Sequence, residues 1–326
     1  MSAAMLDDAD ARIGGPDGST RTAPLSDRPL DLTGRAVLLA TDGSSCAMAA
    51  ARVAHALAAQ HRALVHVVSV IDSRPAPIPP PLNVALAFGD AVGGPELHRE
   101  QARAVTAELS SPLGEPVTWP VRVMLGTPST AIVQEARHIG AVLIVMGLRR
   151  HGRMDRVRHD ETVLNVARTA ACPVLGIVAE QKGPPRRVLA AVDFGEGSLL
   201  ALRAARAVAG PHPTFVAAYV HPMNGFLADQ GEARIHDLGV AAGFEKLGRD
   251  VADDGLTFDH VVLHRAPAQG VAQALLEYAD EGGCDLITAG SMHHSRIDRW
   301  MLGSVSTELV RDGRRSVLVV PPRRED

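Results

Sequence analysis

An apolar run that ends in aspartate occurs twice, as Arg35-Ala-Val-Leu-Leu-Ala-Thr-Asp42 and, 151 positions later, as Arg187-Val-Leu-Ala-Ala-Val-Asp193. A second marker repeats with it. Gly147 follows Val-Leu-Ile-Val-Met, and Gly290 follows Leu-Ile-Thr-Ala 143 positions further on. The runs Pro173–Val178 and Ser316–Val320 close the two copies. The chain is therefore a tandem duplication, each copy about 140 residues long and thus domain-sized.

Within a copy, short apolar runs alternate with helix-like stretches. In the first, the pattern predicts strands at 35–41, 63–71, 117–125, 141–146 and 173–178, and helices at 45–60, 95–110, 128–138 and 160–170. Strands apolar on both faces, separated by helices, imply a parallel doubly wound sheet. Residues 1–33 are rich in Asp, Gly, Pro, Ser and Thr without periodicity, and read as a disordered tail. Gln181-Lys-Gly-Pro-Pro185 reads as a linker. The expected division is a tail at 1–33, a first domain at 34–180, a linker at 181–186 and a second domain at 187–322. The closing strands are edge candidates, and exposed apolar edges invite pairing.

Aromatic residues make up only 3% of the 326 residues, so the cores must be built from Ala, Val and Leu. No apolar run approaches the roughly 18 residues of a membrane span. The start of the chain lacks the apolar segment of a secretory signal. A net charge of −4 argues against general nucleic-acid binding. Cys46, Cys172 and Cys284 stand far apart with no C-x-x-C pair, which fits a reducing cytoplasm. Cys46 opens the first helix. It is read as either a thiol acidified by the helix end or, in the plainer reading, a small residue packed on the sheet.

In doubly wound sheets, ligands sit at the carboxyl ends of strands, where the strand order reverses. Asp42 and Asp193 end a first strand, and Gly147 and Gly290 end a fourth, so all four belong to that edge. In the second copy, Gly290 is followed by Ser-Met-His-His-Ser-Arg-Ile-Asp-Arg-Trp-Met-Leu-Gly303-Ser304, with Gly-Ser at a helix start. Free N–H groups at such a start favour anions, and Gly303 admits close approach. The alternative is a plain helix cap.

The terminal Asp of strand one, Gly126-Thr127-Pro128 after the third strand, Leu143-Ile-Val-Met-Gly147, and the spacing G-x2-H-x9-G-S from Gly290 to Ser304 together resemble the universal stress proteins, over nearly all of residues 35–321. The resemblance implies two flavodoxin-like domains, each a five-stranded mainly parallel sheet with helices on both faces. It also implies dimerisation, met here internally as a pseudo-dimer through pairing of the closing strands, with a homodimer as a further arrangement, and binding of ATP, with Mg2+ or Mn2+ as a companion ion. By resemblance Asp193 lies by the ribose, Val220 meets the adenine, Gly290 passes under the ribose, and Gly303, Ser304 and Val305 hold the phosphates. Val192, Ala289 and Ser306 complete the set. His293 stands where the motif has glycine, and either crowds a phosphate or donates to it. The adjacent pair His293–His294 lacks the further ligands of a metal site.

The first copy departs from the motif where phosphate would bind. Arg150 stands at the middle glycine, and Asp160-Glu161 replace Gly-Ser. Asp160 reads as an N-cap whose carboxylate takes the N–H groups a phosphate needs. At about 4 Å and an effective dielectric near 20, each like-charge pair costs on the order of 4 kcal/mol. Asp42, Val70, Met146 and Gly147 remain as a nucleoside pocket. The arginines of 149–158 read as a solvated loop paired with Asp155, Asp160 and Glu161, the alternative being an acidic-partner patch. No P-loop, G-x-G-x-x-G, G-x-S-x-G or H-E-x-x-H motif is present, so no enzymatic reaction is indicated. The expectation is a regulatory ATP-binding protein with unidentified protein partners and no nucleic-acid or membrane partner. A nucleotide-independent scaffold and a slow ATPase are the alternatives.

Overall fold

The computed structural model describes residues 30–72, 95–149, 160–221, 230–266, 268–291 and 302–322. The first half runs β1 (Ala36–Thr41), α1 (Ser45–His61), β2 (Leu64–Asp72), α2 (Pro95–Leu113), β3 (Val121–Gly126), α3 (Pro128–His138), β4 (Leu143–Gly147), α4 (Asp160–Thr169) and β5 (Val174–Ile177). The second repeats this order as β6 (Arg187–Ala191), α5 (Glu196–Val208), β7 (Thr214–His221), α6 (Gln230–Ala252), β8 (Asp259–His264), α7 (Val271–Glu281), β9 (Leu286–Gly290), α8 (Ser304–Asp312) and β10 (Ser316–Val320).

All ten strands form one sheet, in the order β3-β2-β1-β4-β5-β10-β9-β6-β7-β8. Every pairing is parallel except β5 with β10, where Val174, Leu175 and Gly176 oppose Val319, Leu318 and Val317. The closing strands thus join, and two five-stranded sheets become one.

Alternation along the strands sends side chains to two cores. Val37, Leu39, Val145 and Leu175 pack with α1, α2, α5 and α6 on one face, while Leu38, Ile144, Met146 and Val174 pack with α3, α4, α7 and α8 on the other. Each core is continuous across both halves. Alanine makes the layers thin: Ala49, Ala50, Ala51 and Ala54 of α1 are all fully buried.

Two expectations change. Leu30 and Leu32, assigned to the tail, are buried in the α1/α2 core, and Leu32 is wholly inaccessible. The packed chain therefore begins at or before residue 30; residues 1–29 lie outside those described. The third strand starts at Val121 rather than 117, because Pro120 has no N–H for a ladder, and its carbonyl instead accepts the Val67 N–H at 2.8 Å.

Candidate functional site

In each half the strand order reverses between the first and fourth strands, β1 beside β4 and β6 beside β9. Asp193 leaves β6 at this edge and builds the turn into α5. Its Oδ1 accepts the Gly195 N–H at 3.0 Å and the Ser198 hydroxyl at 2.7 Å, and its own N–H donates to Ser198 Oγ at 2.9 Å. Phe194 takes a left-handed conformation, φ 64°, in this turn, where Gly43 has φ 75° in the first half. An aromatic residue tolerates that only when packing fixes it. Its ring stacks on Tyr219 at 5.2 Å and meets Phe244 edge-on at 4.9 Å. Burial raises the Tyr219 phenol above its usual pKa, with the Asp193 charge adding to it.

Gly290 ends β9 directly under the first turn of α5, and a β-carbon there would run into the Gly197 carbonyl. Gly147 has the same relation to α1: a β-carbon would stand 2.7 Å from Ala47 N and 2.8 Å from the Cys46 carbonyl carbon. Glycine is thus required by the approach of helix to strand, a cause additional to the nucleotide contact expected by resemblance. Cys46 packs here, and burial pushes its thiol pKa up, so the plainer reading of this residue holds.

The start of α8 is the anion-binding candidate. Gly303 is its cap, with φ −58° and ψ 157° and no side-chain cap hydrogen bond, and the first helical bond runs from Thr307 N–H to Gly303 O at 3.0 Å. Ser304 is exposed, Val305 packs on the core, and the buried Ser306 donates its hydroxyl to the Gly290 carbonyl at 3.4 Å. That bond ties the helix start to the end of β9. Val192 and Ala289 are buried beneath the edge, and Val220 is half-buried at the end of β7. His293 lies outside the described residues.

In the first half the expected nucleoside residues line one cavity of about 360 Å³. Asp42, Val70, Met146 and Gly147 are joined there by Thr41, Val68, Asp72, Pro128, Ile132, Arg149, Thr162 and Val163. The volume is within the range of small-molecule sites, about 300–1,000 Å³. Arg149 reaches Asp42 at 3.4 Å; Asp155, one of the acids expected to pair with the arginines of 149–158, lies outside the described residues. Both side chains are nearly half exposed, so the pair contributes at most about 1 kcal/mol and a polar ligand can displace it. Helix α4 begins at Asp160 itself; the side chains of Asp160 and Glu161, and residues 150–159, lie outside the described residues. Arg149 and Asp72 escaped the sequence reading because their places depend on strand register, whereas Pro128 belongs to the Gly126-Thr127-Pro128 motif and was open to recognition.

A tandem, doubly wound α/β protein with a strand-order reversal in each half is the class this geometry defines. The universal stress protein family model matches residues 34–177 and 185–321. The chain belongs to that family. Among solved structures it is similar to a universal stress protein from Archaeoglobus fulgidus DSM 4304, with a TM-score of 0.56 and 17% identity over 88% of this chain and 98% of the other. It is similar also to a functionally unknown protein from Pseudomonas aeruginosa PAO1, with a TM-score of 0.53 and 16% identity over 88% and 92%. These likenesses concern the fold. No curated protein matches the sequence.

Proposed function

We propose that this protein binds ATP in its second half and acts in the stress response through nucleotide-dependent contacts with protein partners in the cytoplasm. The observation that carries this reading is the start of α8. Its cap is glycine, its N–H groups have no side-chain cap among the described residues, and Ser306 holds it beside Gly290, on the edge that Asp193 also occupies. Partial positive charge at an open helix end favours phosphate, and a companion Mg2+ or Mn2+ would offset the remaining charge. Asp193 and Val220 are assigned to ribose and adenine, and Val192, Ala289, Gly303, Ser304 and Val305 to the walls and phosphates. His293 stands between Gly290 and Gly303 in the sequence, at the position where it either crowds a phosphate or donates to it.

The first half is assigned a nucleoside without its phosphates. The cavity around Asp42, Val70, Met146 and Gly147 favours this, and Asp160-Glu161 at the α4 start oppose an added triphosphate.

Titration calorimetry on the double variant Gly303→Asp, Ser304→Glu tests the assignment by giving the second half the acids of the first. ATP affinity is expected to fall by at least ~100-fold, about 3 kcal/mol, with adenosine much less affected. Unchanged ATP affinity would remove the second half from the proposal and favour the scaffold alternative.

A further inference from the structure

On the other face of the sheet from the α8 crevice, three potential metal ligands converge where β7 ends against α6. The ligand atoms of His221, His236 and Asp237 all lie within 4.8 Å of one another. We propose that these residues bind a divalent transition-metal ion of the zinc class, a site separate from the nucleotide crevice and independent of the nucleotide reading.

The two imidazoles meet with ring centroids 4.3 Å apart and planes tilted by 59°. His236 Nδ1 is buried and has no hydrogen-bond partner among the described residues, an uncommon state for a buried ring nitrogen. Asp237 Oδ1 stands 3.9 Å from it, too far for a hydrogen bond but close to the spacing of two atoms sharing one ion. Tetrahedral coordination with bonds of about 2.0–2.2 Å sets ligand atoms about 3.4 Å apart. The exposed Asp237 side chain closes that difference by rotation.

The surroundings fit the same use. His236 Nε2 lies 3.2 Å from the Tyr219 hydroxyl; in the Nε2–H tautomer it donates there and leaves the Nδ1 lone pair facing Asp237. A ligating histidine is normally held this way by its second nitrogen. His264, the cross-strand partner of His221, stacks on it at 5.3 Å and fixes its ring. Two imidazoles and one carboxylate suit Zn2+, Co2+ or Ni2+, whereas Mg2+ and Ca2+ require oxygen ligands.

The test uses the full-length chain stripped with a chelator and then titrated with Zn2+ against a chromophoric competitor, with Co2+ absorption as a second readout. One equivalent of Zn2+ is expected to bind in the micromolar range or tighter, and Co2+ to develop ligand-field bands. His221→Ala with His236→Ala is expected to weaken Zn2+ by at least ~100-fold, and Tyr219→Phe by ~10-fold through loss of the supporting hydrogen bond. His293→Ala with His294→Ala serves as the control and is expected to leave the affinity unchanged. Asp237→Asn replaces an exposed side chain and keeps the test usable if the histidine variant does not fold; it too is expected to weaken Zn2+ and alter the Co2+ spectrum. No Zn2+ bound in this range, or the same affinity in Asp237→Asn and in the folded histidine variant as in the parent, overturns the proposal.

Discussion

Single residues at the sheet edge that the proposal assigns to ligand also serve packing, and the glycines separate the two roles. At Gly147 the nearest backbone atoms leave 2.7–2.8 Å for a β-carbon, distances at which something must move, and the atoms met belong to the α1 backbone rather than to a flexible side-chain tip. At Gly290 the obstruction is the Gly197 carbonyl on α5. Each glycine to alanine change is therefore expected to destabilise the protein by about 1–3 kcal/mol, the usual cost of forcing atoms into a packed interior. Thermal melting without nucleotide checks this. If glycine were needed only to admit ligand, the melting temperature would stay put and only affinity would fall. The motif glycines were legible in the sequence, but this cause was not, because the helix that demands them lies some 93–100 positions away and touches them only in three dimensions. Asp193 is similar: its place at the strand end was readable, its closure of a turn through Ser198 was not.

Elements were more legible than residues. Helix α3 and strand β10 occupy the ranges that periodicity and flanking prolines predict, and β1 differs by one residue. Elements shift where backbone chemistry overrides apolar content, as at β3, which must wait for Pro120 to pass. The N-terminal boundary was misread because the composition of 1–33 is polar as a whole and conceals two leucines spaced one residue apart. Leu32, fully buried among α1 and α2 residues, is expected to cost about 2–5 kcal/mol when changed to alanine, the range for a buried leucine. Chemical denaturation measures it; a change below 1 kcal/mol would mean that this segment only rests on the surface. In the candidate site, the cavity of the first half was readable in outline from Asp42, Val70, Met146 and Gly147, which sit at strand ends. The contributions of Thr162, Val163 and Ile132 come from helices, whose rotation about their axes is set by the two cores.

At the scale of the whole molecule, the β5–β10 pairing has a symmetry that the strand registers reveal. Ile177 is aligned with Gly147 as Val320 is with Gly290, so Leu175 and Leu318 occupy equivalent places in the two halves. These two leucines face each other across the junction, flanked by Val174 with Val319 and Gly176 with Val317. The pseudo-two-fold axis thus passes through the Leu175–Leu318 pair. An antiparallel pairing is what a two-fold axis between identical strands produces. The first half on its own, residues 30–183, would lose this partner and expose Val174, Leu175 and Ile177, all now buried, together with an unpaired strand edge. Its own second copy offers the same strand in the same register. This fragment is therefore expected to form a homodimer through β5, with Leu175 facing Leu175, and Leu175→Lys is expected to return it to a monomer by placing two like charges across the axis. Light scattering on both fragments reads the outcome directly. A folded fragment that stays monomeric with leucine in place would show that the junction depends on contacts peculiar to the second half, not on the symmetry of the repeat.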